Sequence, residues 1–169
     1  TVVTTIMSNF GLYQALDEVG IKYKKTDVGD RFVSECMREN DHLLGGEQSG
    51  HIIFGKYAMT GDGVLTAIKV MQAMIDRDMP LSKLADPCRM YPQVLKNVQV
   101  DDKDGTINDP VVQAAVKAAE EKLSGSGRVL LRTSGTEPVL RVMAEARDKM
   151  ACEEAVNTMI DAMRASGHM

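Results

Sequence analysis

The feature that constrains the fold most is an alternation of strand-like and helix-like segments, which stops at a proline-rich stretch. In the first half of the chain, apolar runs bounded by turn residues alternate with segments whose apolar residues recur at helical spacing. This alternation is typical of an α/β layer with parallel strands. Three prolines between Pro80 and Pro92 then interrupt it. We therefore predict a first domain over residues 1–88 and a second over residues 89–169.

The first domain is predicted to be an α/β partial domain, with a parallel-type sheet and helices. Ser8 or Asn9 is a candidate cap for a helix that stops at Gly20, and Asp62 is a candidate cap for the clearest helix. The predicted strands or extended segments are 2–7, 21–28 and 42–54, and the predicted helices are 9–19, 29–37 and 62–77. The last of these helices has one predicted apolar stripe, formed by Val64, Leu65, Ile68, Met71, Met74 and Ile75.

The second domain is predicted to be a small α+β domain, with an antiparallel sheet and two helices. Asp109 and Pro110 have the pattern of a helix start, and a closing helix follows residue 150. The predicted strands are 93–100, 128–132 and 139–146, and the apolar stripe of the closing helix is Cys152, Val156, Met159, Ile160 and Met163. We interpret residues 101–104 as a solvated turn and residues 166–169 as a frayed tail.

Charge and composition exclude several classes of partner. The formal net charge of −4 disfavours nucleic acid, and no apolar run approaches the ~20 residues that a membrane span needs. Three widely spaced cysteines argue against a disulfide framework or a zinc site, and they fit a reducing cytoplasm best. The segment from Thr1 to Ile6 has no initiator Met and no charged leader, so we expect the chain to begin inside a larger protein.

The strongest local signal is the sequence Arg-Thr-Ser-Gly-Thr-Glu-Pro at positions 132–138, here called the 132–138 loop. It lies between residues 125 and 150, a segment with five basic and three acidic residues and therefore a local net charge of +2. A positive φ at Gly135 would let backbone N–H groups converge on an anion, and guanidinium and hydroxyl donors would add to them. Arg132 and Arg141 suit a phosphate. The alternative interpretation is a solvated hairpin loop.

A second signal is the sequence Gly-Glu-Gln-Ser-Gly-His at positions 46–51, here called the 46–51 loop. Its glycines, with Gly45 before them, could bring the backbone close to a ligand, and Glu47, Gln48 and Ser49 offer the polar groups that sugar hydroxyls require. We reject a Ser49–His51 nucleophile, because no third group to orient the histidine is visible in the sequence. A glycine-rich loop with a structural histidine is the alternative.

No segment has the clustered carboxylates of a magnesium site. Asp62 is explained as a helix cap, and residues 101–104 as a turn. The sequence therefore predicts that this chain supplies no metal ligand.

The two loops together resemble parts of the phosphohexomutase superfamily. The 46–51 loop is similar to the sugar-recognition loop of domain three in that superfamily. The 132–138 loop is similar to the phosphate-binding loop of domain four. Residues 28–33, 60–63 and 141–143 resemble the amino-sugar branch of the superfamily, so the resemblance spans nearly the whole chain.

The resemblance implies a four-domain enzyme that interconverts glucosamine 6-phosphate and glucosamine 1-phosphate through glucosamine 1,6-bisphosphate, for amino-sugar nucleotide and cell-wall precursor synthesis. It also implies a phosphoserine and an aspartate loop binding Mg²⁺. Neither of these motifs occurs in this sequence, and domain three lacks its first elements. We expect the chain to depend on missing N-terminal domains, to be inactive alone, and to bind a phosphorylated hexosamine.

The resemblance also implies residue roles. Glu47 and Ser49 would bind sugar hydroxyls, and a loop facing the sugar would contain Gly29, Asp30 and Arg31. The non-reacting phosphate would be bound by Arg132, Ser134, Gly135, Thr136 and Arg141. Two alternatives remain open at this point, a phosphomannomutase or phosphoglucomutase of the same superfamily and a non-catalytic phosphate- or partner-binding module.

Overall fold

The chain divides into two compact units, Thr1–Met90 and Tyr91–Met169. The structure is a computed structural model that describes residues 1–135 and 137–169. Each unit has its own sheet.

The first unit is an α/β unit around a mixed sheet. Its elements are β1 (Val2–Thr5), α1 (Phe10–Glu18), β2 (Tyr23–Thr26), α2 (Asp30–Glu39), β3 (Leu44–Gly46), β4 (Ile52–Phe54), α3 (Gly63–Arg77) and α4 (Leu81–Ala85). The strand order is β2-β1-β3-β4, with β1 parallel to both β2 and β3 and with β4 antiparallel to β3. The α/β prediction is confirmed, and β3 and β4 both lie within the predicted extended segment 42–54. The antiparallel pairing of β4 and the short helix α4 go beyond the prediction.

Local sequence signals explain where the first-unit helices begin. The Asn9 side chain accepts a hydrogen bond from Gly11 N at 3.0 Å, and Asp62 accepts one from Leu65 N at 2.9 Å. Each cap satisfies an N–H group that has no partner inside its helix. A small core holds β1, α2 and β4 together, with Val3, Val33, Met37 and Ile53 all buried.

The predicted apolar stripe of α3 is mostly exposed. Val64, Ile68, Met71 and Ile75 are between 51% and 79% exposed. Two members of the predicted stripe, Leu65 and Met74, are half-buried, as is Val70. Helical spacing identifies residues that share a face, but apolar residues surround much of α3, so periodicity could not decide which face contacts the sheet.

The second unit is the predicted α+β unit, with one more helix than expected. Its elements are β5 (Gln93–Gln99), α5 (Lys103–Asn108), α6 (Pro110–Leu123), β6 (Gly127–Thr133), β7 (Val139–Ala146) and α7 (Lys149–Ala165). The strand order is β5-β7-β6, and both pairings are antiparallel. The predicted stripe of α7 is buried, and it packs against β7 residues Leu140, Val142 and Ala144 in one core cluster.

Two loop predictions in the second unit are wrong. Residues 101–104 are not only a turn, because Asp102 caps the short helix α5. The C-terminal residues are not a frayed tail, because His168 Nε2 lies 3.1 Å from Asp109 Oδ2 and Ser166 Oγ lies 3.3 Å from Asp109 Oδ1. The hydrogen bond from His168, followed by those from the backbone of α6, lowers the pKa of Asp109. In the described ranges, no helix is long and apolar enough to cross a membrane.

Candidate functional site

The 132–138 loop joins β6 to β7, and the strand register brings two arginines together beside it. Arg132 on β6 pairs directly with Arg141 on β7. Residues directly opposite each other in an antiparallel pair share one face of the sheet, and like charges in such a pair destabilise it. Asn97 on β5 is the partner of Arg141 on its other side. The sheet therefore places two positive charges next to each other without a carboxylate in the same row.

Buried polar atoms at this position lack partners. The Nε atoms of Arg132 and Arg141 and the Oγ of Ser134 are buried and have no hydrogen-bond partner within the part of the chain that the structure describes. Most buried polar atoms in proteins are paired, because an unpaired one costs about 1–3 kcal/mol. Three such atoms beside one loop indicate a site built for an external acceptor.

The electrostatic environment of the site favours an anion. Burial, followed by the neighbouring charge of Arg141, lowers the pKa of Arg132. An arginine remains charged near neutral pH even so. Glu137 Oε2 lies 3.7 Å from Arg141 Nη2, and the side chain of Glu137 is 56% exposed. This long, solvent-accessible contact neutralises the arginine pair only weakly.

The predicted conformation of the glycine in this loop is wrong. The described glycines with positive φ are Gly20, Gly29, Gly50, Gly125 and Gly167, and Gly135 is not one of them. A Cβ at Gly135 would have no atom within 4 Å. An anion nest built on a left-handed Gly135 is therefore not formed. Thr136, the other predicted phosphate ligand in the loop, lies outside the described residues.

In the first unit, the 46–51 loop holds three polar side chains in mutual contact. Ser49 Oγ donates to Glu47 Oε1 at 2.6 Å and lies 2.8 Å from His51 Nδ1. His51 Nδ1 is also 3.2 Å from Glu47 Oε1. The Glu47 side chain is 8% exposed and that of His51 is 55% exposed. The cluster thus combines a nearly buried carboxylate, that of Glu47, with the exposed side chain of His51.

This geometry revises one step of the sequence analysis. A third polar group, Glu47, does contact the histidine. However, Ser49 and Glu47 both approach the same ring nitrogen of His51. In a nucleophilic triad the serine and the carboxylate contact opposite ring nitrogens. The cluster therefore lacks the arrangement that would activate Ser49 as a nucleophile.

Packing explains why the two residues before Glu47 are glycines. A Cβ at Gly45 would lie 2.5 Å from Met37 Sδ and 2.7 Å from Val33 Cγ1, both on α2. A Cβ at Gly46 would lie 2.7 Å from Ile52 Cδ1 on β4. That these two glycines also allow close approach of a ligand stays a prediction.

We expect Gly45→Ala to destabilise the first unit by about 1–3 kcal/mol, because Val33 cannot move as freely as the end of Met37. Gly63→Ala is the matched control, since a Cβ there has open space at the start of α3 and alanine favours helix. Urea unfolding measures both. Equal stability of the two variants would contradict the packing argument.

The third predicted segment, Gly29 to Arg31, lies at the start of α2. Gly29 has φ of 134° at the helix cap, which explains a glycine there. Arg31 Nε donates to Glu35 Oε1 at 2.8 Å, and this hydrogen bond raises the pKa of Arg31. The segment follows β2, whereas Glu47 follows β3, two strands away. Both lie at the carboxyl edge of parallel strands, roughly 10 Å apart.

A cavity of about 580 Å³ lies next to the 46–51 loop. Glu47 and Gln48 contribute to its wall, but Leu12, Leu44 and Phe54 make it largely apolar. A sugar needs hydroxyl partners around its ring, so the interior of this cavity is a poor sugar site. The polar cluster of Glu47, Ser49 and His51 fits a sugar better.

The residues do not fit a resident metal. Throughout residues 1–135 and 137–169, no group of three His, Cys, Asp or Glu is close enough to hold an ion. Mg²⁺ binds through carboxylates and other oxygen ligands. No chemical step in this chain is therefore assigned to a metal.

Two residues near the 132–138 loop were missed by sequence reasoning. Asn97 is found only through the register of β5 against β7. Lys103 Nζ donates to Ser134 O at 2.9 Å and to Glu137 O at 3.3 Å. The helix-cap pattern at Asp102 could have predicted α5, but not that Lys103 reaches the loop.

Comparison with known proteins identifies the family of this chain. Residues 1–91 match the model for "Phosphoglucomutase/phosphomannomutase, alpha/beta/alpha domain III", and residues 95–162 match the model for "Phosphoglucomutase/phosphomannomutase, C-terminal domain". The chain belongs to the phosphoglucomutase/phosphomannomutase family.

The chain is also similar to individual curated proteins. The chain is 56% identical over 167 residues to a phosphoglucosamine mutase of Lachnospira eligens, covering 99% of this chain and 37% of the relative. It is 50% identical over 169 residues to that of Lachnoclostridium phytofermentans, covering 100% and 38% respectively. The chain thus spans little more than a third of the length of these relatives.

A solved structure agrees with the fold. The N-acetylphosphoglucosamine mutase of Aspergillus fumigatus, in complex with GlcNAc-6P and magnesium, matches with a TM-score of 0.79. The identity is 20%, over 98% of this chain and 39% of that chain. At this identity the match supports the α/β and α+β architecture alone.

Proposed function

We propose that this chain supplies hexosamine-phosphate binding to a phosphoglucosamine mutase. The complete enzyme would interconvert glucosamine 6-phosphate and glucosamine 1-phosphate, an isomerisation, through glucosamine 1,6-bisphosphate. The names of the two curated relatives support the amino sugar over mannose or glucose phosphates. We propose a cytoplasmic protein that serves amino-sugar nucleotide and peptidoglycan precursor synthesis.

The observation that carries this proposal is the arginine pair, together with buried donors that have no partner among the described residues. Arg132 and Arg141 are cross-strand neighbours, and Ser134 lies beside them with a buried hydroxyl. A phosphate dianion accepts charge-assisted hydrogen bonds from both guanidinium groups and removes their mutual repulsion. We assign Arg132, Ser134, Gly135 and Arg141, with Thr136, to the non-reacting phosphate of the substrate.

In the first unit, we assign sugar recognition to Glu47 and Ser49. Their side chains already share a hydrogen bond, and a sugar hydroxyl can donate to the carboxylate while accepting from the serine. Gly29, Asp30 and Arg31, at the same edge of the sheet, would face the sugar. Such hydroxyl contacts tolerate a ring that binds in two orientations, as the two half-reactions require.

The phosphoryl transfer itself is assigned to residues outside this sequence. Relatives of the family use Mg²⁺, and one structural neighbour was solved with magnesium. Magnesium neutralises charge on a transferring phosphoryl group. The residues described here position substrate only, so we propose that the chain alone does not turn over hexosamine phosphates and needs the domains that hold the donor serine and the metal.

The experiment is a binding comparison of glucosamine 6-phosphate, inorganic phosphate and glucosamine, each followed by amide chemical shifts of the chain. We expect both phosphates to shift the Ser134 and Gly135 signals, with millimolar dissociation constants or about −4 kcal/mol. Glucosamine lacks the dianion and should not shift them.

Glucosamine 6-phosphate should additionally perturb Glu47 or Ser49 at higher concentration. Binding of glucosamine equal to that of its 6-phosphate would contradict the proposed role of the 132–138 loop. A steady conversion of glucosamine 6-phosphate by the purified chain, supplied with the bisphosphate and free of host mutase, would contradict the proposed inactivity.

A further inference from the structure

Lys103 bridges the two ends of the 132–138 loop. Its Nζ donates to Ser134 O at 2.9 Å and to Glu137 O at 3.3 Å. Ser134 directly follows β6, and Glu137 lies two residues before β7. A single ammonium group therefore ties together the chain that enters the loop and the chain that leaves it.

The base of this side chain is firmly held. Lys103 is the first residue of α5, and Asp102 Oδ1 accepts from Asp104 N at 3.1 Å and from Gly105 N at 3.0 Å. Thr106, on the next turn, is completely buried, and its hydroxyl donates to Asp102 O. Because the helix already orders the backbone at Lys103, forming the bridge costs only the rotamer freedom of the side chain.

The contact with Ser134 O has a consequence for the next amide. Among the described residues no peptide bond is cis. In a planar trans peptide the C=O of one residue and the N–H of the next point in opposite directions. Because the Ser134 carbonyl points at Lys103, the Gly135 N–H points away from it.

We propose that Lys103 is a positioning residue that orients the Gly135 N–H and holds the two ends of the 132–138 loop in place for a phosphate. This inference rests on the proposed function of that loop. The bridge turns two carbonyl oxygens, which would repel an anion, towards a cation and leaves the Gly135 N–H for a ligand. The bridge also fixes the conformation of the loop, which the sequence analysis had expected a left-handed Gly135 to do.

Lys103→Met tests the inference, since methionine keeps most of the side-chain length and removes the ammonium group. Lys117→Met is the matched control, because Lys117 is 78% exposed on α6 and forms a long, 4.0 Å ion pair with Glu121. Both variants lose one positive charge from the second unit. Lys103→Arg retains the charge and the donors, so its phosphate binding and its Ser134 N–H exchange should stay close to those of the wild type.

The first measurement is phosphate binding by amide shifts, with inorganic phosphate as the probe. We expect about tenfold weaker binding in Lys103→Met, the loss associated with a charge-assisted hydrogen bond, and no change in Lys117→Met. The second measurement needs no ligand. The Ser134 N–H, which donates to Val139 O at 3.0 Å, should exchange with solvent about tenfold faster in Lys103→Met, since the loop opens more readily.

The outcomes separate this inference from the proposed function. If the wild-type chain does not bind phosphate, the proposed function fails, and with it the role of Lys103 in binding. If wild type binds and Lys103→Met binds equally well, only the inference is overturned. Weaker binding with unchanged Ser134 exchange also overturns it, because Lys103 would then act through its charge and not by positioning.

Discussion

Replacing Arg132 with methionine is expected to weaken phosphate binding by about tenfold or more, without lowering the melting temperature of the chain. Charge-assisted hydrogen bonds are worth about 1.5–3 kcal/mol each, and the substitution removes those that Arg132 would donate. Methionine keeps the apolar stem of the side chain, so packing beside β7 is preserved. Stability should hold or rise, because the repulsion between Arg132 and Arg141 disappears.

The measurement is an amide-shift titration with inorganic phosphate alongside a thermal melt. Arg164→Met is the matched control, since this arginine is 63% exposed and forms a surface ion pair with Asp161. The control should bind phosphate as wild type does. A variant at Arg132 that melts well below wild type and still binds phosphate would show that this arginine stabilises the fold and has no role in anion binding.

The second large effect is expected at Glu145, whose side chain is fully buried on β7. Its Oε2 accepts from Arg128 Nε at 2.8 Å, and its Oε1 accepts from Gln93 Nε2 at 2.9 Å. Glu145→Ala should cost about 3 kcal/mol, because it leaves the Arg128 charge, 17% exposed, without its carboxylate. Gln93 also loses its acceptor.

Urea unfolding of two further variants separates this effect from surface charge. Glu153→Ala removes one partner of an exposed pair with Lys149 and should cost less than about 0.5 kcal/mol. Replacing Arg128 and Glu145 together by Met and Leu should recover much of the loss, because no unpaired charge remains. Equal losses for Glu145→Ala and Glu153→Ala would contradict the account of a buried pair.

Much of the fold follows from local signals in the sequence. Asn9, Asp62 and Asp109 are recognisable caps, and the structure shows each of them accepting backbone hydrogen bonds. The buried stripe of α7 is predicted correctly. These features depend on residues close together in the chain, and for that reason spacing alone identifies them.

The orientation of α3 could not be predicted in the same way. Its exposed positions, such as Val64 and Ile75, are as apolar as its half-buried ones. The choice between faces is made by tertiary contacts with β4. Likewise Gly45 has a sequence context suited to a ligand loop, and only the packing of α2 reveals its steric role.

In the candidate site, too, some features can be predicted from nearby residues and others depend on tertiary contacts. The Arg132 segment is visible as a motif between two strands, but the pairing of Arg132 with Arg141 depends on strand register. A shift of one residue would move one arginine to the other face of the sheet. Lys103 reaches the loop across 31 residues of sequence, and no local pattern encodes such a contact.

The most direct test of the central claim, that the Arg132 and Arg141 pair binds the substrate phosphate, is a titration of the labelled wild-type chain with inorganic phosphate at constant ionic strength. The account predicts saturating amide shifts centred on Ser134 and Gly135, with half-saturation in the millimolar range. Shifts centred on Glu47, or shifts spread evenly over exposed lysines and arginines without saturation, would contradict it.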